Sequence, residues 1–146
     1  AASATLTRAT CYGMDGATRA PGATSLIFGG NFYPPTTVTA DTESFDGTAW
    51  TELNNLNTAR FYAGGAGTST AAMEVGGETP SLTTAVEFWD GTSWAEGSDI
   101  ATAGGKMSAS GNGLTQCIIS SGTNPSVTTD CFEYAVPTAI KTFTAT

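Results

Sequence analysis

Three glutamates, Glu43, Glu87 and Glu133, recur at matching places along this chain, each in a short run with an aromatic neighbour. Carboxylates repeated on symmetric units lie at equal radius, so the three are candidate ligands for a hard cation that prefers oxygen, with Ca²⁺ the expected ion. Two of them at the right separation, one with a raised pKa and one ionised, would instead make a glycosidase pair. The structural alternative is that they are strand acids paired to Arg8 or Arg60. Other chemistry is limited by what is missing. The chain has no histidine, which removes Ser-His-Asp and Cys-His nucleophilic machinery and the usual zinc and copper sites. Gly64-Gly65-Ala66-Gly67 has the glycine content of a phosphate-binding loop but no lysine after it, and reads as a closely packed first strand. Arg8, Arg19 and Arg60 are the only arginines able to grip a carboxylate substrate. The expectation is a protein that is not an enzyme and carries no cofactor, Ca²⁺ excepted.

Aromatics supply the binding candidates. Trp50 and Trp94 open equivalent strands and read as core between units. Trp89 stands beside a tight turn where the first unit has Phe45, and Phe32 and Tyr33 lie in the excursion Asn31-Phe32-Tyr33-Pro34-Pro35. Exposed loop aromatics of this kind contact sugars or protein partners. Cys117 and Cys131 stand 14 residues apart around a turn-rich segment; adjacent antiparallel strands would allow a structural disulfide between them, leaving Cys11 over.

The elements that must position these residues repeat. Ser44-Phe45-Asp46-Gly47-Thr48-Ala49-Trp50 returns as Phe88-Trp89-Asp90-Gly91-Thr92-Ser93-Trp94, with Asp46 and Asp90 spaced by 44 residues. Apolar runs ending in glycine doublets precede each copy, Gly29-Gly30 and Gly76-Gly77, and a weaker third copy carries Ser121-Gly122 and then Cys131-Phe132-Glu133-Tyr134. Such a period marks a repeat architecture. The runs are short and bounded by Gly, Asn, Asp and Pro, so the units are all-β, with four strands each. In the first unit these fall at Thr10 to Gly13, Thr24 to Phe28, Thr42 to Phe45 and Ala49 to Leu53. Asp46-Gly47 and Asp90-Gly91 predict two-residue type I′ hairpins. The whole, residues 1–146, reads as one domain of three units, about 5–56, 57–100 and 101–146.

With Gly76-Gly77, Glu87-Phe88, Trp94 and the linker Leu56-Asn57-Thr58-Ala59-Arg60 in view, the pattern resembles kelch-like repeats, the blades of galactose-oxidase-type β-propellers. The resemblance implies three four-stranded blades, part of a β-propeller closed or extended by oligomerisation; a compact three-sided β-prism is the alternative. The Asp-Gly-Thr-x-Trp hairpin resembles a variety found in phage and bacterial surface proteins. The third unit departs from the pattern, with Gly104 where Arg60 would recur and Val136-Pro137 in place of Asp-Gly.

Composition addresses partners. The net charge is −8, from 13 acids against 5 bases, which disfavours nucleic acid and anionic membrane. No run is long enough for a membrane helix, and Asn124 is followed by Pro125, so no N-glycosylation sequon exists. The small-residue start Ala1-Ala2-Ser3 is what export leaves behind, giving an extracellular or virion-surface location. Three units fall short of the usual propeller closure, so the chain itself is the expected partner, as a homo-oligomer or helical fibre. Leu6, Ile140 and Phe143 in the Thr-rich flanks are the assembly candidates, the flanks adding strands to a neighbour. These features lead to a self-assembling structural subunit of an extracellular fibre or phage virion appendage. A carbohydrate-binding, lectin-like module is the second reading and a glycoside hydrolase the third.

Overall fold

The computed structural model describes residues 6, 11–18, 24–34, 36–111, 117–120, 122–124, 126–127, 131–134 and 141–143. In chain order the strands are β1 (Cys11–Tyr12), β2 (Asp15–Thr18), β3 (Ser25–Phe28), β4 (Asn31–Phe32), β5 (Thr37–Val38), β6 (Thr42–Phe45), β7 (Trp50–Glu52), β8 (Gly64–Thr68) and β9 (Ala71–Val75). They continue with β10 (Val86–Trp89), β11 (Trp94–Glu96), β12 (Ser108–Gly111), β13 (Cys117–Ser120), β14 (Thr123–Asn124), β15 (Ser126–Val127), β16 (Cys131–Tyr134) and β17 (Lys141–Phe143). No helix occurs among the described residues. Each repeat unit makes one four-stranded antiparallel sheet: β2-β3-β6-β7, then β8-β9-β10-β11, then β12-β13-β16-β17. A three-stranded ribbon, β1-β4-β5, and the hairpin β14-β15 are added to this plan.

The first strands β2, β8 and β12 lie side by side, β8 in the middle. Their composition, DGAT, GGAGT and SASG, follows from that proximity. A Cβ at Gly65 would sit 2.8 Å from Asp15 Cβ and 3.1 Å from Phe28 Cζ, so a larger residue there would push the first two sheets apart. This also explains why the first strand of the first unit is Asp15–Thr18 rather than the expected Thr10 to Gly13. The place next to β8 demands small side chains, and Cys11–Tyr12 instead pairs with Asn31–Phe32 in the ribbon.

Two cores fill the spaces between sheets. Ala17, Leu26 and Phe28 of the first sheet meet Ala72, Trp89 and Trp94 of the second, with Leu56 from the linker. The opposite face of the second sheet, with Ala66, Met73, Val75 and Val86, meets Cys117 and Ile119 of the third, with Ile100 and Met107. Alternate residues of each strand therefore serve alternate junctions, as the pleat requires. The glycine doublets fix how one unit hands over to the next. Gly30 N–H donates to the Arg60 carbonyl at 2.8 Å and Gly77 N–H to the Gly104 carbonyl at 2.7 Å. All four glycines of the two doublets have positive φ, which L side chains adopt only with strain.

The Asp-Gly hairpins exist, but not as type I′ turns. Pairing closes at Phe45 with Trp50 and at Trp89 with Trp94, leaving four residues in each loop. Only the glycine has positive φ, whereas type I′ needs it at both central positions. The aspartate works through its side chain: Asp46 Oδ1 accepts from Thr48 and Ala49 N–H at 2.8 and 2.9 Å, and Asp90 Oδ1 from Thr92 and Ser93 at 2.8 Å each. Those donors hold both carboxyls below their ordinary range.

Candidate functional site

The densest concentration of charge lies buried at the junction of the first two sheets. Arg60, delivered by the linker, has its side chain fully enclosed, as do Glu74 on β9 and Glu87 on β10, which are cross-strand neighbours. Arg60 Nη2 donates to Glu87 Oε1 at 2.7 Å. The rest of the Glu87 carboxylate is held by the linker: Oε2 accepts from Asn57 N–H at 2.7 Å and Asn57 Nδ2 at 2.9 Å, and Oε1 also accepts from Thr58 N–H at 3.2 Å. Four donors thus converge on the one carboxylate. Glu74 is treated differently. Arg60 Nε lies 3.1 Å from Glu74 Oε2, yet its N–H is not aimed for a hydrogen bond, and both Glu74 oxygens lack hydrogen-bond partners among the described residues.

Asp15 enters the same junction from β2. It accepts backbone hydrogen bonds from Gly65 and Ala63, while its Oδ2 has no partner among the described residues. Burial pushes its carboxyl up to about 8, with the charge of Glu74 adding to the effect. Burial also raises Glu74 to about 7, against the pull of Arg60. A chain read only for repeats gives no warning of Asp15, because its carboxylate gains meaning from the sheet packed over it.

The expected equivalence of the three glutamates holds for two. Glu43 pairs with Ile27, which pairs with Gly16; Glu87 pairs with Glu74, which pairs with Gly65. In the third sheet the residue that faces the second is Ile119, paired with Ala109 and with Phe132. Phe132 thus takes the register position of Glu43 and Glu87. Glu133 falls one residue out of step, opposite Ile118. A ring of three equivalent carboxylates does not form. Glu43 and Glu87 are fully buried, and no cluster of three acids or thiols arranged to hold a metal occurs among the described residues.

Trp89, expected as a contact residue, is 1% exposed. Its Nε1 donates to the Ser69 carbonyl at 3.0 Å and its ring tilts against Trp94, so it is core. Its counterpart Phe45, at the equivalent register position of the first sheet, is half-buried. Phe32 is half-buried in the β4-β5 hairpin, and Tyr33 at its turn is 61% exposed. An open cleft of about 540 Å³ crosses the rim of the first two sheets, lined by Glu52, Leu53 and Asn54 on one side and Trp89, Gly91 and Thr92 on the other.

The disulfide expected between Cys117 and Cys131 is absent: both are free thiols. Their strands do pair, but Cys117 lies opposite Tyr134 and Cys131 opposite Ser120. They stand at opposite ends of the pairing and on opposite faces, beyond the reach of an S–S bond. Burial pushes the Cys117 thiol up to about 12. Of the assembly candidates, Leu6 is half-buried and outside any strand. Phe143 lies on β17, which pairs with β16 and is the outer strand of its own sheet. Ile140 is outside the described residues.

Two sheet faces are turned outward from the internal junctions. On the third sheet, Ser108, Ser110, Ile118 and Ser120 alternate outward, all exposed, with Ile118 at 58%. On the first sheet, the face turned away from the second carries half-buried Ile27, Phe45 and Trp50, the last two in ring contact at 5.1 Å, together with fully buried Glu43.

No protein-family model matches the chain, and no curated protein does. Among solved structures, the one described as the structure of YjhT superposes with a TM-score of 0.67 at 13% sequence identity, over 90% of this chain and 45% of that one. The likeness is one of fold, and the chain spans less than half the length of that protein.

Proposed function

We propose that this protein is a non-catalytic structural subunit that associates with copies of itself through the outward faces of its end sheets, as in an extracellular fibre or a virion appendage. The observation that carries this reading is the relation between those faces and the junctions inside the chain. Each internal junction joins one face of a sheet to the opposite face of the next. The outward faces of the first and third sheets are the same two kinds, so a second copy placed head to tail continues the stack. Ile118, at 58% exposure, stands in the middle of the face such a copy would cover. The match to only 45% of YjhT is consistent with a fold that extends past three sheets. Contacts of this heterologous kind close into a ring or run on as a filament. The enclosure of Glu43, Glu74 and Glu87 supports the non-catalytic part, since no substrate reaches a carboxylate that is fully buried and, for Glu87, fully bonded.

The test is the mass in solution across a concentration series, for the natural chain and for Ile118→Asp. A mass that grows with concentration, and that drops to one chain in the variant while the fold is kept, supports assembly. A folded monomer at every concentration removes the reading. The second reading, a carbohydrate-binding module, rests on exposed Tyr33 and the rim cleft with Glu52 and Asn54. Glycan-array binding by a stable monomer, lost in Tyr33→Ala or Asn54→Ala, would bring it forward.

A further inference from the structure

The two junctions of the chain are chemically unlike. Between the second and third sheets the core is Met73, Val75, Met107 and Ile119. Between the first and second, three carboxyls, Asp15, Glu74 and Glu87, surround one guanidinium, Arg60. The fold does not require this. Glu74's register position is held by Ile27 in the first sheet and Ile119 in the third, that of Asp15 by Gly64 in the second, and Arg60's clamped carbonyl by Gly104 at the next handover.

Arg60 is shared by two carboxyls, and the better-made contact is with Glu87, on which four donors converge. Glu74 has an ion pair with Arg60 Nε at 3.1 Å but no well-aimed hydrogen bond on either oxygen, and Asp15 keeps an unbonded Oδ2 beside its two backbone hydrogen bonds. A buried carboxyl whose oxygens are incompletely hydrogen-bonded favours the protonated form. Other charges facing the cluster do not relieve them. Among the described residues these are acids: Glu96 on β11, itself raised by partial burial and then by Glu87, and Asp99, whose charge also acts on Glu96.

We propose that the junction between the first two sheets is a proton-held latch, closed when Asp15 and Glu74 carry protons and loosened when those protons are removed. Both groups sit above the unfolded carboxylate range, Asp15 at about 8 and Glu74 at about 7. The folded chain therefore binds more protons than the unfolded one between those limits. Their contribution to stability is complete at pH below about 4 and is lost as pH rises through 7 to 8, the reverse of ordinary acid denaturation. Each such proton changes the unfolding constant by up to about tenfold per pH unit inside that window.

The experiment compares urea unfolding of the full chain with that of Asp15→Asn and of Glu74→Ile, which restores the residue the other two sheets carry, from pH 5 to pH 9. The ratio of unfolding constants, natural chain over variant, should rise at least tenfold between pH 5 and pH 8 for each. Infrared difference spectra of the folded natural chain at pH 6 should show a protonated-carboxyl C=O band that shrinks in either variant. If a variant fails to fold, the band in the natural chain and its loss between pH 6 and pH 9 still decide the matter. A ratio flat with pH, or the absence of any protonated-carboxyl band at pH 6, overturns the proposal. So would a rise in melting temperature on adding Ca²⁺ at pH 8 that is absent in Asp15→Asn, which would make the cluster a cation site.

Discussion

Trp50 and Trp94 occupy the same place in two copies of one sequence motif, and the structure assigns them very different energies. Trp94 is 6% exposed, lies edge-on to Phe28 at 4.8 Å and against Trp89 at 5.5 Å, and donates from Nε1 to Thr42 Oγ1 at 2.9 Å. Removing about 200 Å² of buried aromatic surface at about 25 cal/mol/Å² costs about 5 kcal/mol, in line with the 3–5 kcal/mol typical of large aromatic truncations. Leaving the fully buried Thr42 hydroxyl without its donor adds about 1 kcal/mol. Trp94→Ala should therefore lose about 4–6 kcal/mol, or about 12–18 °C of melting temperature at about 3 °C per kcal/mol for a chain of this size. Trp50 is half-buried and touches chiefly Phe45, so Trp50→Ala should lose about 2 kcal/mol or less in the dissociated chain. Urea midpoints and thermal scans by far-ultraviolet circular dichroism, at concentrations low enough to keep the chain monomeric, measure both. In concentrated samples Trp50→Ala should weaken association, because Trp50 sits on the outward face. Equal losses in dilute solution, or a greater loss for Trp50, would refute the assignment of the two junction faces.

Three further outcomes follow from particular contacts. Arg60→Met strips the guanidinium that contacts both Glu87 and Glu74 and should cost about 3–5 kcal/mol in urea unfolding at pH 7, with the loss shrinking at acid pH; a loss independent of pH would count against buried ion pairing. Peptide mapping of unreduced material should recover Cys117 and Cys131 as free thiols, and alkylation of the folded chain should reach half-exposed Cys131 well before buried Cys117; recovery of the two joined would overturn the register of β13 on β16. Lys106→Gly relieves a left-handed backbone at φ 53° and gives up only a 5.6 Å contact of the ammonium with the Tyr62 ring, so it should be neutral or stabilising by up to about 1 kcal/mol; a marked loss would show that Lys106 holds the third unit in place.

The recurrence of Gly-Gly, Asp-Gly-Thr and Trp, and the absence of any helical period, were enough to establish an all-β chain of repeated four-stranded units. Those signals are local: a doublet, a turn and a strand run each depend on φ preferences and on neighbours a few residues away. The placement of Trp94 in the core and of Gly64-Gly65-Ala66-Gly67 in a first strand belongs to the same class. Other features were settled only by packing. A side-chain period of two means that a shift of one residue moves a strand's whole set to the opposite face. That shift puts Phe132 where Glu133 was expected, and it sets Cys117 and Cys131 back to back, although both segments read as ordinary strands. The type I′ reading failed because Asp46 and Asp90 use their carboxylates, a side-chain choice that the dipeptide leaves open. Trp89 and Phe45 share a motif position, yet one is enclosed against the first sheet while the other is half-buried, a difference set by what packs on each sheet. Asp15 is the extreme case. Its sequence neighbours suggest a turn, and its buried carboxyl at about 8 arises from β8, Ala63 and Glu74, residues about fifty to sixty positions away that only the folded chain brings to it.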